Sequence, residues 1–221
     1  YVREQSLDLT SAKTVQLLSK NKKGFFAMIE GGKIDHAAHA NDVVCMIHDV
    51  LAFDEAVGVA MAFAKKNPDT LVLITADHET GGFAMIGKDK VCKEYVGLNF
   101  EAIAKITVPF DFICEIIEKD PSPAKIKSVV KQYLSIELTD EEAGIVSADQ
   151  LKKMDPYNYS YDYSHSLAFV LRPYLRAGWT GQTHTATPLY LFGTGPGSKM
   201  IKGIMHNTEI FQLMKKAFGL K

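Results

Sequence analysis

The chain of 221 residues carries 25 Lys and Arg against 26 Asp and Glu, a net charge of −1, with 47% apolar side chains. That balance argues against nucleic acid as the main partner, and the length suffices for a substantial core in one or two domains. No apolar stretch reaches about twenty residues and no signal peptide is expected at the start, while Cys45, Cys92 and Cys114 lack the spacing of a zinc knuckle or a CxxC motif.

In chain order, Ala12, Val15 and Leu18 step by three and predict a short helix packed on a sheet, with Thr10 or Ser11 as cap. The apolar run over residues 24–29 predicts a buried strand. It delivers Glu30-Gly31-Gly32-Lys33-Ile34-Asp35-His36-Ala37-Ala38-His39, several metal-ligating side chains within ten residues. The two glycines suit a sharp turn and a close backbone approach. A helix starting near Ile34 or Asp35 places Asp35 and His39 on one face. Taken alone, the same pair also reads as a solvated Asp–His pair at a helix start, where an acid suits the dipole. The helical pattern continues to Lys66 through Val43, Met46, Ile47, Val50, Leu51, Val57 and Met61, with Asp54 the polar exception. Residues 70–76 form a second strand, ending in Asp77-His78-Glu79-Thr80-Gly81-Gly82. Strand, helix, strand predicts a right-handed parallel βαβ unit, which brings Glu30 and Asp77-His78 to one sheet edge, where ligands of α/β proteins gather.

Residues 88–163 read as a helical insertion. Ile126, Val129, Val130, Tyr133 and Leu134 follow an amphipathic period, Thr139 with Glu142 forms a capping box, and Pro109, Pro121, Pro123 and Pro156 punctuate the region. The tyrosine-rich run from Tyr157 to Tyr163 suits an aromatic loop more than a stacking surface. Residues 164–177 look helical, kinked or interrupted at Pro173. A Gly-bearing loop over residues 178–186 holds His184 and precedes a strand over 187–192. His48, His165 and His206 read as structural, with His165 the one placed to approach a site and Asn207 capping the last helix. The fold class expected is α/β, a three-layer α/β/α arrangement with a mainly parallel sheet. Its core falls in residues 1–87 and 164–221, around the insertion.

Mixed Asp and His donors suit Zn²⁺, and Asp35, His39 and His184 supply three ligands while leaving one position open for catalysis. Asp77 and His78 offer half of a second metal's ligands, and Glu30, a hard oxygen donor, fits Mg²⁺. Metals about 4 Å apart stabilise both the attacking and leaving oxygens of an in-line displacement, which is what hydrolysis of a charged ester needs.

The Glu-Gly-Gly-Lys-Ile-Asp-His-Ala-Ala-His stretch, the following Thr-Ala-Asp-His-Glu-Thr-Gly-Gly and the later His-Thr-Ala resemble the C-terminal half of alkaline phosphatases, over about residues 22–87 and 165–217. The resemblance implies a zinc at Asp35, His39 and His184, a second at Asp77 and His78, magnesium at Glu30, and His36 close to bound phosphate. It implies a phosphate-monoester substrate, a homodimer in the intact enzyme, and an exported or periplasmic setting. The family's serine nucleophile, bridging aspartate and phosphate-clamping arginine come before the Glu-Gly-Gly motif. Residues 1–23 hold Ser6, Ser11 and Ser19 but no Asp-Ser at a strand end, so no nucleophile is assigned and the chain is expected to be a fragment of very low turnover. Two other readings stand beside this one: a related metal-dependent sulfatase, phosphodiesterase or mutase, and a non-catalytic metal-binding domain.

Overall fold

The computed structural model describes residues 6–85, 93–154 and 162–220. Cys92, Pro156 and most of the tyrosine-rich run lie outside the described residues. The chain opens with α1 (Leu7–Leu18), α2 (Lys33–His39) and α3 (Val43–Lys66), followed by β1 (Val72–Ile74), β2 (Glu79–Thr80) and β3 (Phe83–Met85). Five helices come next: α4 (Phe100–Ala104), α5 (Phe110–Lys119), α6 (Pro123–Leu134), α7 (Asp140–Ser147) and α8 (Gln150–Met154). Last come α9 (Ser164–Leu175), β4 (Ala177–Trp179), β5 (His184–Thr185), β6 (Phe192–Thr194) and α10 (Asn207–Ala217). Among the described residues no helix is long and apolar enough to cross a membrane.

The chain is α/β, but its described strands pair antiparallel: β1 with β6, β2 with β5 and β3 with β4. This corrects the expectation of a mainly parallel sheet. Residues 24–31 form no ladder among the described residues, so the first strand of the anticipated βαβ unit is absent. An apolar run is compatible with a strand, but only a lateral partner bonding its N–H and C=O groups makes it one. The later strand is also displaced, lying at Phe192–Thr194 rather than over residues 187–192.

The long helix expected from residue 35 to 66 is two helices. Asn41 adopts φ 56°, a left-handed conformation that ends α2. Asp42 then caps α3, its Oδ1 accepting from the backbone N–H groups of Val44 and Cys45, both at 3.0 Å. Asn and Asp are the two residues best suited to this punctuation, so the break was written in the sequence beneath a continuous apolar period. Gly32 has φ −60° and ψ −20°, ordinary helical backbone, so the turn before α2 does not demand glycine there. α1 starts earlier than expected: Ser6 is its N-cap residue, and the Ser11 hydroxyl donates to Leu7 O inside the helix. At the other end of the chain His206, not Asn207, caps α10, its Nδ1 accepting from Thr208 N while Glu209 bonds back to His206 N.

The residues cluster into two compact units. The first comprises Tyr1–Gly31, Asp49–His78 and Thr187–Lys221, and the second comprises Gly32–His48 and Glu79–Ala186. Within the first unit, Val72, Leu73 and Ile74 of β1 face Thr194, Gly193 and Phe192 of β6. Few of its apolar side chains are buried, Ala56 and Leu213 among them, while Phe26, Met28, Tyr190, Phe192 and Phe211 are exposed.

The second unit holds the hydrophobic core. Phe110, Ile113, Cys114 and Ile117 line one face of α5, and Ile126, Val129, Val130 and Leu134 line α6, as the helical period predicts. Leu167, Leu171 and Leu175 of α9 join them. Each fully buried Leu, Ile or Phe contributes about 1.5–3 kcal/mol, so this cluster dominates the unit's stability. The Thr139–Glu142 capping box opens α7 as expected. Pro173 sits inside α9 without ending it, and the helix closes three residues later at left-handed Arg176.

Candidate metal centre

Helix α2 and the β2–β5 ladder bring three donors to one point inside the second unit. Asp35 and His39, four apart on α2, place Oδ1 and Nε2 3.4 Å from each other. His184, on β5, brings its Nε2 to 3.1 Å from His39 Nε2 and 3.7 Å from Asp35 Oδ1. A tetrahedral zinc with bonds near 2.0–2.2 Å separates its donors by about 3.3–3.6 Å. Octahedral magnesium, with bonds near 2.0–2.1 Å, would hold adjacent donors about 2.9 Å apart and prefers oxygen. Two imidazoles and a carboxylate are a donor set of the kind zinc takes, gathered closely enough to share one divalent ion.

The orientation of His39 is fixed chemically as well as sterically. Its Nδ1–H donates to the Gln182 carbonyl at 2.7 Å, and since a carbonyl can only accept, the neutral ring keeps its Nε2 lone pair toward the other two donors. His39 is also the last residue of α2, where backbone carbonyls lack helical partners. The buried His165 ring donates from Nε2 to His39 O at 2.7 Å, and the Ser164 hydroxyl donates to Ala40 O at 2.6 Å. The first turn of α9 thus grips the end of the helix that carries the site. In the sequence His165 reads as structural though placed to approach a site; its bond here is to a backbone atom, which leaves no pattern in side-chain identities.

The turn after β2 explains its glycines. Gly81 and Gly82 have φ of 81° and 61°. A Cβ on Gly81 would meet the Trp179 ring at 2.6 Å, and one on Gly82 the Thr180 hydroxyl at 1.8 Å. The Glu79 carboxylate straps this turn, accepting from Gly82 N and Phe83 N, both at 3.2 Å, and from the Thr185 hydroxyl. Thr80, opposite His184 in the ladder, donates its hydroxyl to Asp35 Oδ1 at 2.6 Å. Neither residue received a role from the sequence, although both lie within the quoted Asp-His-Glu-Thr-Gly-Gly motif.

The remaining sequence candidates fall differently. Asp77 and His78 belong to the first unit, where His78 Nε2 lies 3.2 Å from Asp77 Oδ2 and the Asp77 side chain is 86% exposed. Glu30 is exposed in that unit, and His36 is exposed on α2.

An α/β chain with a cluster of two histidines and a carboxylate able to hold a metal ion is the class that fold and site define. The sequence profile of alkaline phosphatases matches residues 3–220, and the chain belongs to that family. Alkaline phosphatase 4 of Bacillus subtilis (strain 168) is 33% identical over 217 residues, 95% of this chain and 44% of the relative. The crystal structure of Thermus thermophilus alkaline phosphatase superposes with a TM-score of 0.80 at 26% identity, covering 98% of this chain and 48% of that one. A TAB5 alkaline phosphatase mutant solved with Mg bound gives 0.58 at 26% identity, covering 100% of this chain and 43% of that one. The chain spans about half the length of the relatives it matches.

Proposed function

We propose that this chain supplies the principal metal-binding part of an enzyme that hydrolyses phosphate monoesters. Family membership supports the reaction class. The observation that carries the metal assignment is the convergence of Asp35 Oδ1, His39 Nε2 and His184 Nε2 at 3.1 to 3.7 Å. In this reading Asp35, His39 and His184 hold one zinc, Asp77 and His78 contribute to a second, and Glu30 is a magnesium ligand. His36 lies close to the bound ester. Divalent cations held there supply Lewis acidity, lowering the pKa of a bound hydroxyl or water and neutralising phosphoryl oxygens. Gln182 and His165 hold His39, and the ladder holds His184, so the donors stand in place before binding and little ordering remains to be done. The intact enzyme is inferred to be an exported homodimer.

Metal titration tests this reading. The purified 221-residue chain should bind one zinc best. Asp35→Asn, His39→Ala and His184→Ala should each weaken it by more than the roughly 10–100-fold typical of losing an outer-shell partner. Unchanged zinc affinity in His39→Ala and His184→Ala would sink the assignment. The chain's own turnover of p-nitrophenyl phosphate should stay well below the roughly 1–1000 per second of ordinary enzymes, because no nucleophile is assignable in it.

A further inference from the structure

We propose that Thr80 is a positioning residue for the zinc donors, orienting Asp35 through its hydroxyl while the strand that carries it fixes His184; this rests on the metal reading above. The Asp35 side chain is 36% exposed, so water competes for its oxygens and its rotamer is not set by packing alone. Thr80 is 8% exposed and β-branched, so its own side chain has little freedom. Its hydroxyl lies 2.6 Å from Asp35 Oδ1, within the short range of an O–H donor to a carboxylate.

Two features separate this contact from ordinary satisfaction of a buried hydroxyl. The oxygen that Thr80 holds is the same one that lies 3.4 and 3.7 Å from the two imidazole nitrogens. A carboxylate oxygen has lone pairs enough to accept from Thr80 and still face a cation. Moreover, Thr80 stands opposite His184 in the β2–β5 register, so the residue that bonds Asp35 lies on the strand against which the second donor's strand is paired.

The test compares Thr80→Val, which keeps the shape and removes the donor, with Thr80→Ser, which keeps the donor, in the full chain. Zn²⁺ affinity is read by competition with a chromophoric chelator, coordination by the absorption of the Co²⁺ form, and folding by the melting temperature without metal. Thr80→Val should bind zinc about 10–100-fold more weakly and alter the Co²⁺ spectrum, while Thr80→Ser restores both. Thr80→Ala serves the same comparison where valine does not fold. Zinc affinity in Thr80→Val equal to wild type, or Thr80→Ser as weak as Thr80→Val, overturns the assignment and leaves the metal site standing. Failure of wild type to bind zinc at all overturns the metal reading, and this assignment with it.

Discussion

Asp42 shows how much one side chain does at the junction between α2 and α3. It is buried, caps α3 through Oδ1, and accepts from Phe110 N through Oδ2 at 2.7 Å, tying the junction to α5. Burial pushes its carboxyl above the ordinary aspartate range, and the N–H donors from Phe110, Cys45 and Val44 only partly offset this. The native protein therefore binds this proton more tightly than the unfolded chain. The stability it contributes is fully present below the unfolded value of about 3.9 and is lost as pH rises through the raised native pKa. Asp42→Asn removes that dependence. Whatever its constant offset from losing an acceptor for Phe110 N, its melting temperature relative to wild type should rise from pH 4 toward neutrality. A flat difference over that interval would contradict the argument. Asn41 and Asp42 were both visible in the sequence, yet their meaning depended on a burial that only the fold reveals.

Among the elements, the helices of the second unit were the most legible. Their apolar residues recur every three or four positions, and α4, α6 and α7 are capped by the local side chains of Asn99, Ser122 and Thr139, so both signals lie within a few residues of each other. α7 is the clearest case, since Thr139 accepts from Glu142 N at 3.1 Å while Glu142 accepts from Thr139 N at 2.8 Å. Thr139→Ala should cost about 1 kcal/mol in urea unfolding, and a cost within experimental error would show that the box adds nothing. The strands were read less well. β2 and β5 have two residues each, too short for any period, and the apolar run at residues 24–29 has the right composition without a lateral partner. Local sequence describes what a segment tolerates; the ladder is decided by a segment far away in the chain.

For the whole molecule, the unequal burial of the two units has a consequence for behaviour in solution. In the first unit β1 and β6 form a two-stranded sheet among the described residues, and Tyr190 and Phe192, 81% and 59% exposed, stack with centroids 5.9 Å apart. Exposed strand edges beside apolar surface favour pairing with another chain. The isolated chain should therefore self-associate: its size-exclusion elution should shift with concentration, and Phe192→Lys should reduce the shift. A concentration-independent monomer would speak against this.

The sequence by itself determined the family, the α/β class and the helical character of α6, α7 and α9, because motif identity, apolar period and capping chemistry are local properties. Only the tertiary structure decided that the described strands pair antiparallel and that Asp35, His39 and His184 meet within 3.1 to 3.7 Å with Thr80, Gln182 and His165 around them. His39 and His184 lie 145 positions apart, and contacts between distant segments, many of them to backbone atoms, follow from how the whole chain packs.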